Sequence, residues 1–106
     1  MTIPGLTPQD MDDVMGVFER LPQVRRVWLF GSRAKGTNKR GSDVDLALEG
    51  PSIGFETVRK ASFLLNEETN LPYHFDILDK SSISNTELLD HIHRVGMLIL
   101  DRGEQS

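Results

Sequence analysis

The chain is predicted to fold as a single α/β or α+β domain, on three observations. Helical and strand periodicities alternate along it, no repeat or low-complexity linker interrupts them, and 106 residues suffice for one hydrophobic core with little room for a second domain. Thr7-Pro8-Gln9-Asp10 has the form of a helix start, with Thr7 as N-cap, Pro8 at the first helical position and an acid in the first turn. Met11, Val14, Met15, Phe18 and Leu21 follow at helical spacing, and Pro22 ends the run. Val24 and Val27-Trp28-Leu29-Phe30 read as a largely buried strand, broken by Gly31-Ser32. Asp43 to Leu48 alternates in character and reads as a half-buried second strand, closed by Glu49-Gly50-Pro51-Ser52. From Phe55 to about Thr69, Phe55, Val58, Ser62 and Leu65 fall on one line with Ala61 and Leu64 beside it, a second helix that ends near Asn70-Leu71-Pro72. Tyr73 to Leu78 is a third strand. Ser84-Asn85-Thr86-Glu87 resembles a capping box before a helix carrying Leu88, Leu89, Ile92 and Val95, which Gly96 closes, and Met97 to Leu100 forms a short last strand.

Composition narrows the chemistry. Hydrophobic residues at 38% and charged residues at 26% lie in the globular range, so the chain should fold. No stretch approaches the length of a membrane span and Met1 to Asp10 has no signal-peptide pattern, which predicts a cytoplasmic protein. With no cysteine, carboxylates and three histidines are the side chains left to hold metal, and such donors favour hard cations such as magnesium. A net charge of −4 argues against general nucleic-acid binding, so the one basic cluster, Arg33, Lys35, Lys39 and Arg40, is informative.

The chemistry concentrates between the first two strands. A glycine directly after a buried strand lets backbone amides approach a phosphate, and Ser32 can offer both its hydroxyl and its N–H. Arg33 and Lys35 add positive charge nearest that glycine. Residues two apart on a strand share a face, so Asp43 and Asp45 point the same way, roughly 7 Å apart at Cα, while Val44, Leu46 and Leu48 take the core face. Two carboxylates so placed can share a pair of cations, the apparatus of in-line phosphoryl transfer. A third acid is expected, and parity selects Asp76: Phe75 and Ile77 take the core face, Asp76 and His74 the other, whereas Asp79 would turn to the core unless the strand has ended. Asp76 joins the other two acids if the third strand pairs with the second, which spacing leaves open.

Each feature also has a plainer reading. Gly31-Ser32 alone would be a turn and helix cap. A lone Asp-x-Asp suits a solvent-facing edge strand or a calcium loop, although aspartate is a poor strand former. Asp76 could be an exposed strand acid, and Lys39 and Arg40 a solvated loop. His74 lies on the face of the acids, where it could touch nucleotide or acceptor. His91 and His93, two apart on a helix, cannot face one metal together and read as surface residues. Trp28 and Phe30 read as core.

Gly31-Ser32, ten residues and then Asp43-Val44-Asp45 resemble the defining motif of the DNA polymerase β-like nucleotidyltransferase superfamily. Phe30-Gly31-Ser32-Arg33-Ala34-Lys35-Gly36 and the later Phe75-Asp76-Ile77-Leu78 are most similar to its minimal nucleotidyltransferases, the MNT family, over roughly residues 7 to 100. The resemblance implies a mixed β-sheet flanked by helices, ATP as donor, two magnesium ions on Asp43, Asp45 and Asp76, and phosphate contacts from Gly31 and Ser32. It further implies pairing with a small helical HEPN-type protein in a toxin–antitoxin module, and transfer of AMP onto a tyrosine of that partner. Two alternatives remain at this level: a non-catalytic nucleotide-binding subunit that neutralises its partner by contact, and a transferase for small molecules.

Overall fold

The structure, a computed structural model, describes residues 2–39 and 41–103. Its first helix, α1 (Pro8–Glu19), begins at a reciprocal cap: the Thr7 hydroxyl accepts from the Asp10 amide at 3.0 Å, and the Asp10 carboxylate accepts from the Thr7 amide at 3.1 Å. Two N–H groups without helical partners are thereby satisfied. There follow β1 (Arg26–Phe30), a single-turn helix α2 (Ser32–Lys35), β2 (Val44–Glu49) and α3 (Phe55–Phe63), which runs on into a π-helical turn over Leu64–Glu68. Then come β3 (Phe75–Asp79), a 3-10 turn over Lys80–Ser82, α4 (Thr86–Val95) and β4 (Met97–Asp101).

The four strands form one mixed sheet in the order β3-β2-β1-β4. β1 pairs antiparallel with both β2 and β4, and β2 pairs parallel with β3. A parallel pair needs a crossover, and α3 supplies it. One face of the sheet carries Val27, Leu29, Val44, Leu46, Leu48 and Phe75 into the main core, under α1, α3 and the Leu64–Leu65 turn. All six are at most 1% exposed. Burying each is worth about 1.5–3 kcal/mol, so a one-residue slip of register would be very costly. The opposite face carries a smaller cluster of Phe30, Ala47 and Ile92, with Trp28, Leu78, Ile83 and Leu88 packed against it beneath α4. The mixed sheet flanked by helices agrees with the sequence reading.

Several boundaries differ from the sequence-based expectation. Residues 32–35 are a helical turn rather than a simple break, and the second helix changes register at Leu64. The cap of α4 is Asn85, not Ser84; its Oδ1 accepts from the Glu87 and Leu88 amides at 2.9 and 3.1 Å. Asp79 is the last residue of β3, and its carboxylate accepts from Ser81 N at 3.0 Å, so it caps the 3-10 turn instead of entering the core.

Candidate active site

Gly31 leaves β1 with φ +79° and ψ −157°. A Cβ at this position would collide with the Asp45 carboxylate, so both the backbone conformation and the space require glycine here. Gly31 lies one residue beyond the β1–β2 ladder, which ends at Phe30 opposite Asp45. Its amide donates instead to Nε2 of His91 on α4, at 3.0 Å. The Gly31 carbonyl accepts from Lys35 N at 3.1 Å, starting α2, and Gly36 in the left-handed conformation ends it. Ser32, the first residue of α2, is half-buried beside this turn.

Of the basic residues expected at the mouth, Arg33 takes another role. It is only 3% exposed. Its Nε and Nη2 donate to the Ser42 carbonyl at 3.2 and 2.7 Å, its Nη1 donates to the Pro4 carbonyl at 2.8 Å, and the guanidinium lies 5.1 Å from the centre of the Tyr73 ring. A planar fork already engaged by two carbonyls and an aromatic ring is a staple between the N-terminal segment and the motif loop, not a free phosphate contact. Lys35 is exposed at the end of α2. Lys39 is also exposed, its amide donating to the Ser42 hydroxyl at 2.8 Å, and Arg40 lies outside the described residues.

The three acids converge on the face opposite the main core. Asp43 immediately precedes β2, Asp45 is its second residue, and the parallel register sets Asp76 of β3 directly beside Asp45. The carbonyl of His74 accepts from Val44 N at 2.8 Å, which joins the approaches to the two strands. Asp43 and Asp76 are exposed, whereas Asp45, in an interior strand, is half-buried. Ligand-capable atoms of Asp43, His74 and Asp76 lie within 4.8 Å of one another, and His74 Nε2 is 3.5 Å from Asp76 Oδ1. Burial, then the charges of Asp76 and Asp43, push the Asp45 carboxyl above its ordinary value, with His74 and His91 opposing. Hard oxygen donors with one imidazole, already repelling one another, fit a divalent cation in donor type and charge.

The family described as "Polymerase beta, Nucleotidyltransferase" matches residues 13–105. The chain belongs to that family. A probable protein adenylyltransferase, MntA, of Haemophilus influenzae is 32% identical over 97 residues, covering 89% of this chain and 82% of the relative. A chain of a toxin–antitoxin complex crystallised with AMP-PNP superposes with a TM-score of 0.70 at 23% identity, over 91% of this chain and 74% of the other. A chain from the complex of a tri-AMPylated Shewanella oneidensis HEPN toxin with an MNT antitoxin gives a TM-score of 0.65 at 18% identity, over 88% and 71%. At these identities the structural likeness speaks for the nucleotidyltransferase fold.

In this nucleotidyltransferase the motif positions Gly31, Ser32, Asp43, Asp45 and Asp76 are brought to one end of the sheet. His91, read from sequence as a surface residue, is brought there too. Nothing local marks it, because its contact with Gly31 spans 60 residues of sequence.

Proposed function

We propose that this chain transfers AMP from ATP to a hydroxyl, that of a tyrosine on a small helical HEPN-type partner, and so acts as an antitoxin. The observation that carries the reading is the set of three carboxylates at the starts of two parallel strands, with the Asp45 carboxylate against Gly31. Family membership and the 32% identity to a probable protein adenylyltransferase support it. The cytoplasm, where ATP and magnesium abound, is the setting that fits this reaction, and no helix among the described residues is long and apolar enough to cross a membrane.

In this scheme the Gly31-Ser32 turn binds the β- and γ-phosphates, Ser32 through its hydroxyl and N–H and Gly31 by letting the phosphates approach the backbone closely while its own N–H stays bonded to His91, with Lys35, exposed at the end of α2, placed to help. Asp43, Asp45 and Asp76 hold two magnesium ions, and His74 is placed to contribute a nitrogen donor. When bound, the ions supply charge neutralisation of the phosphates and acidity for the attacking hydroxyl. The hydroxyl oxygen forms a bond to the α-phosphorus, the bond from that phosphorus to the β-phosphate oxygen breaks, and pyrophosphate leaves. Asp76 sits on the exposed edge strand, where an incoming acceptor can reach it, and takes the hydroxyl proton. Incubation with α-labelled and γ-labelled ATP in parallel tests the reaction type. Label on the partner from the α-phosphate alone is expected; label from the γ-phosphate, or none while a complex still forms, contradicts adenylyl transfer.

A further inference from the structure

We propose that His91 is a positioning residue for nucleotide binding: from α4, its imidazole holds the Gly31 amide and so fixes the turn that presents Gly31-Ser32 to the phosphates. The inference rests on the phosphate-binding role proposed above for that pair, and it adds a residue that lies outside the motif.

Gly31 combines the two conditions that make a backbone mobile. It has no side chain to pack, and its amide lies past the last residue of β1 paired to a neighbouring strand. A partly buried N–H left without a partner carries a cost, so an acceptor is expected for it. The acceptor is a side chain on a different layer of the molecule, His91 Nε2 at 3.0 Å. The imidazole is itself fixed. Its ring meets the Phe30 ring edge-on, at 6.2 Å between centroids and 80° between planes. The next residue, Ile92, is fully buried against Phe30 and Ala47, and Asn85 caps the start of the helix that carries both. Accepting at Nε2 leaves Nδ1 as the ring position that can donate. His93 and Arg94, the neighbouring polar residues of α4, are exposed. Gly31 is thus held between β1 and α2 by its own carbonyl's bond to Lys35 N and by this one external hydrogen bond. Without it, the residue with the greatest backbone freedom stands where the phosphates must be met, and nucleotide binding bears the cost of ordering it.

Two variants separate positioning from packing. His91→Phe keeps an aromatic ring beside Phe30 and removes the acceptor; His91→Gln gives up the ring and keeps a side-chain acceptor. The Gly31 amide is followed by nitrogen–proton correlation NMR in the free protein, and ATP with magnesium is then titrated into the wild type and both variants. The expected result is a Gly31 amide that moves in His91→Phe and returns toward the wild-type position in His91→Gln. ATP affinity should fall about tenfold in His91→Phe, equivalent to about 1.4 kcal/mol, and recover to within about threefold in His91→Gln. Unchanged ATP affinity in His91→Phe, or His91→Gln binding no better than His91→Phe, overturns the proposal and leaves His91 a packing residue. A wild-type protein that binds no ATP although its Gly31 amide depends on His91 overturns the phosphate-binding reading of Gly31-Ser32, and this role with it. A Gly31 amide indifferent to His91 overturns the hydrogen bond itself.

Discussion

Asp45 lies in an interior strand with Asp76 beside it and Asp43 two residues before it, and its carboxyl holds its proton to higher pH than a free aspartate because burial, then those two charges, disfavour ionisation. The folded state therefore binds this proton more tightly than the unfolded chain does. The resulting stabilisation is fully present below the ordinary aspartate range and is lost as pH rises through the raised value. At neutral pH the ionised group weighs against the fold. Asp45→Asn is expected to raise the melting temperature at pH 7 in the absence of divalent cations, and the gap to the wild type should close as the pH is lowered. The same variant should lose AMP transfer by about a hundredfold or more. Melting curves across pH, with a transfer assay alongside, check both; a variant less stable than the wild type at pH 7 contradicts the electrostatic account. Residue identities at this scale were legible where strand parity applies, as for Asp43, Asp45 and Asp76, because Val44 and Phe75 are driven to the core and leave the acids one direction to face. Charge beside a glycine pointed Arg33 toward phosphate, and the sequence carries no sign that the folded chain offers the guanidinium two carbonyls and the Tyr73 ring.

The element that places Asp76 is the edge strand β3, and its attachment depends on the π-helical turn. Asn66 in that turn acts as a strand would toward Phe75: its Oδ1 accepts from Phe75 N at 2.8 Å and its Nδ2 donates to Phe75 O at 2.9 Å. The register change after Phe63 ends with Thr69 N bonded to Leu64 O, and Asn66 faces Phe75 from within this turn. Asn66→Ala is expected to cost about 1–3 kcal/mol, since it leaves the Phe75 amide without its partner. Hydrogen exchange should show that loss at β3 amides before it appears in β1. Exchange that stays uniform across the sheet would mean that β2 pairing alone holds β3. Helix and strand periodicity made the longer elements readable, but a four-residue helix such as α2 is too short to display a period. A five-residue π turn is likewise too short to display its own period, so neither feature had a sequence signature.

Across the molecule the sheet separates two tasks. The face toward α1 and α3 is sealed by apolar side chains, and the face toward α4 holds the acids. At the end far from the motif, Arg102 donates to the carbonyls of Phe18, Leu21 and Val24 at 2.7, 3.2 and 2.7 Å, tying β4 to the close of α1. Arg102→Ala is expected to lower stability by about 1.5–3 kcal/mol in denaturant titration while ATP affinity stays unchanged; a parallel loss of affinity would show that the two ends are coupled. The most direct measurement of the central claim is intact-mass spectrometry of the proposed HEPN-type partner, incubated with the purified chain, ATP and magnesium. The account predicts a gain of one or more AMP units that disappears with Asp43→Asn; an unchanged mass with a stable complex would contradict it and make the chain a binding subunit.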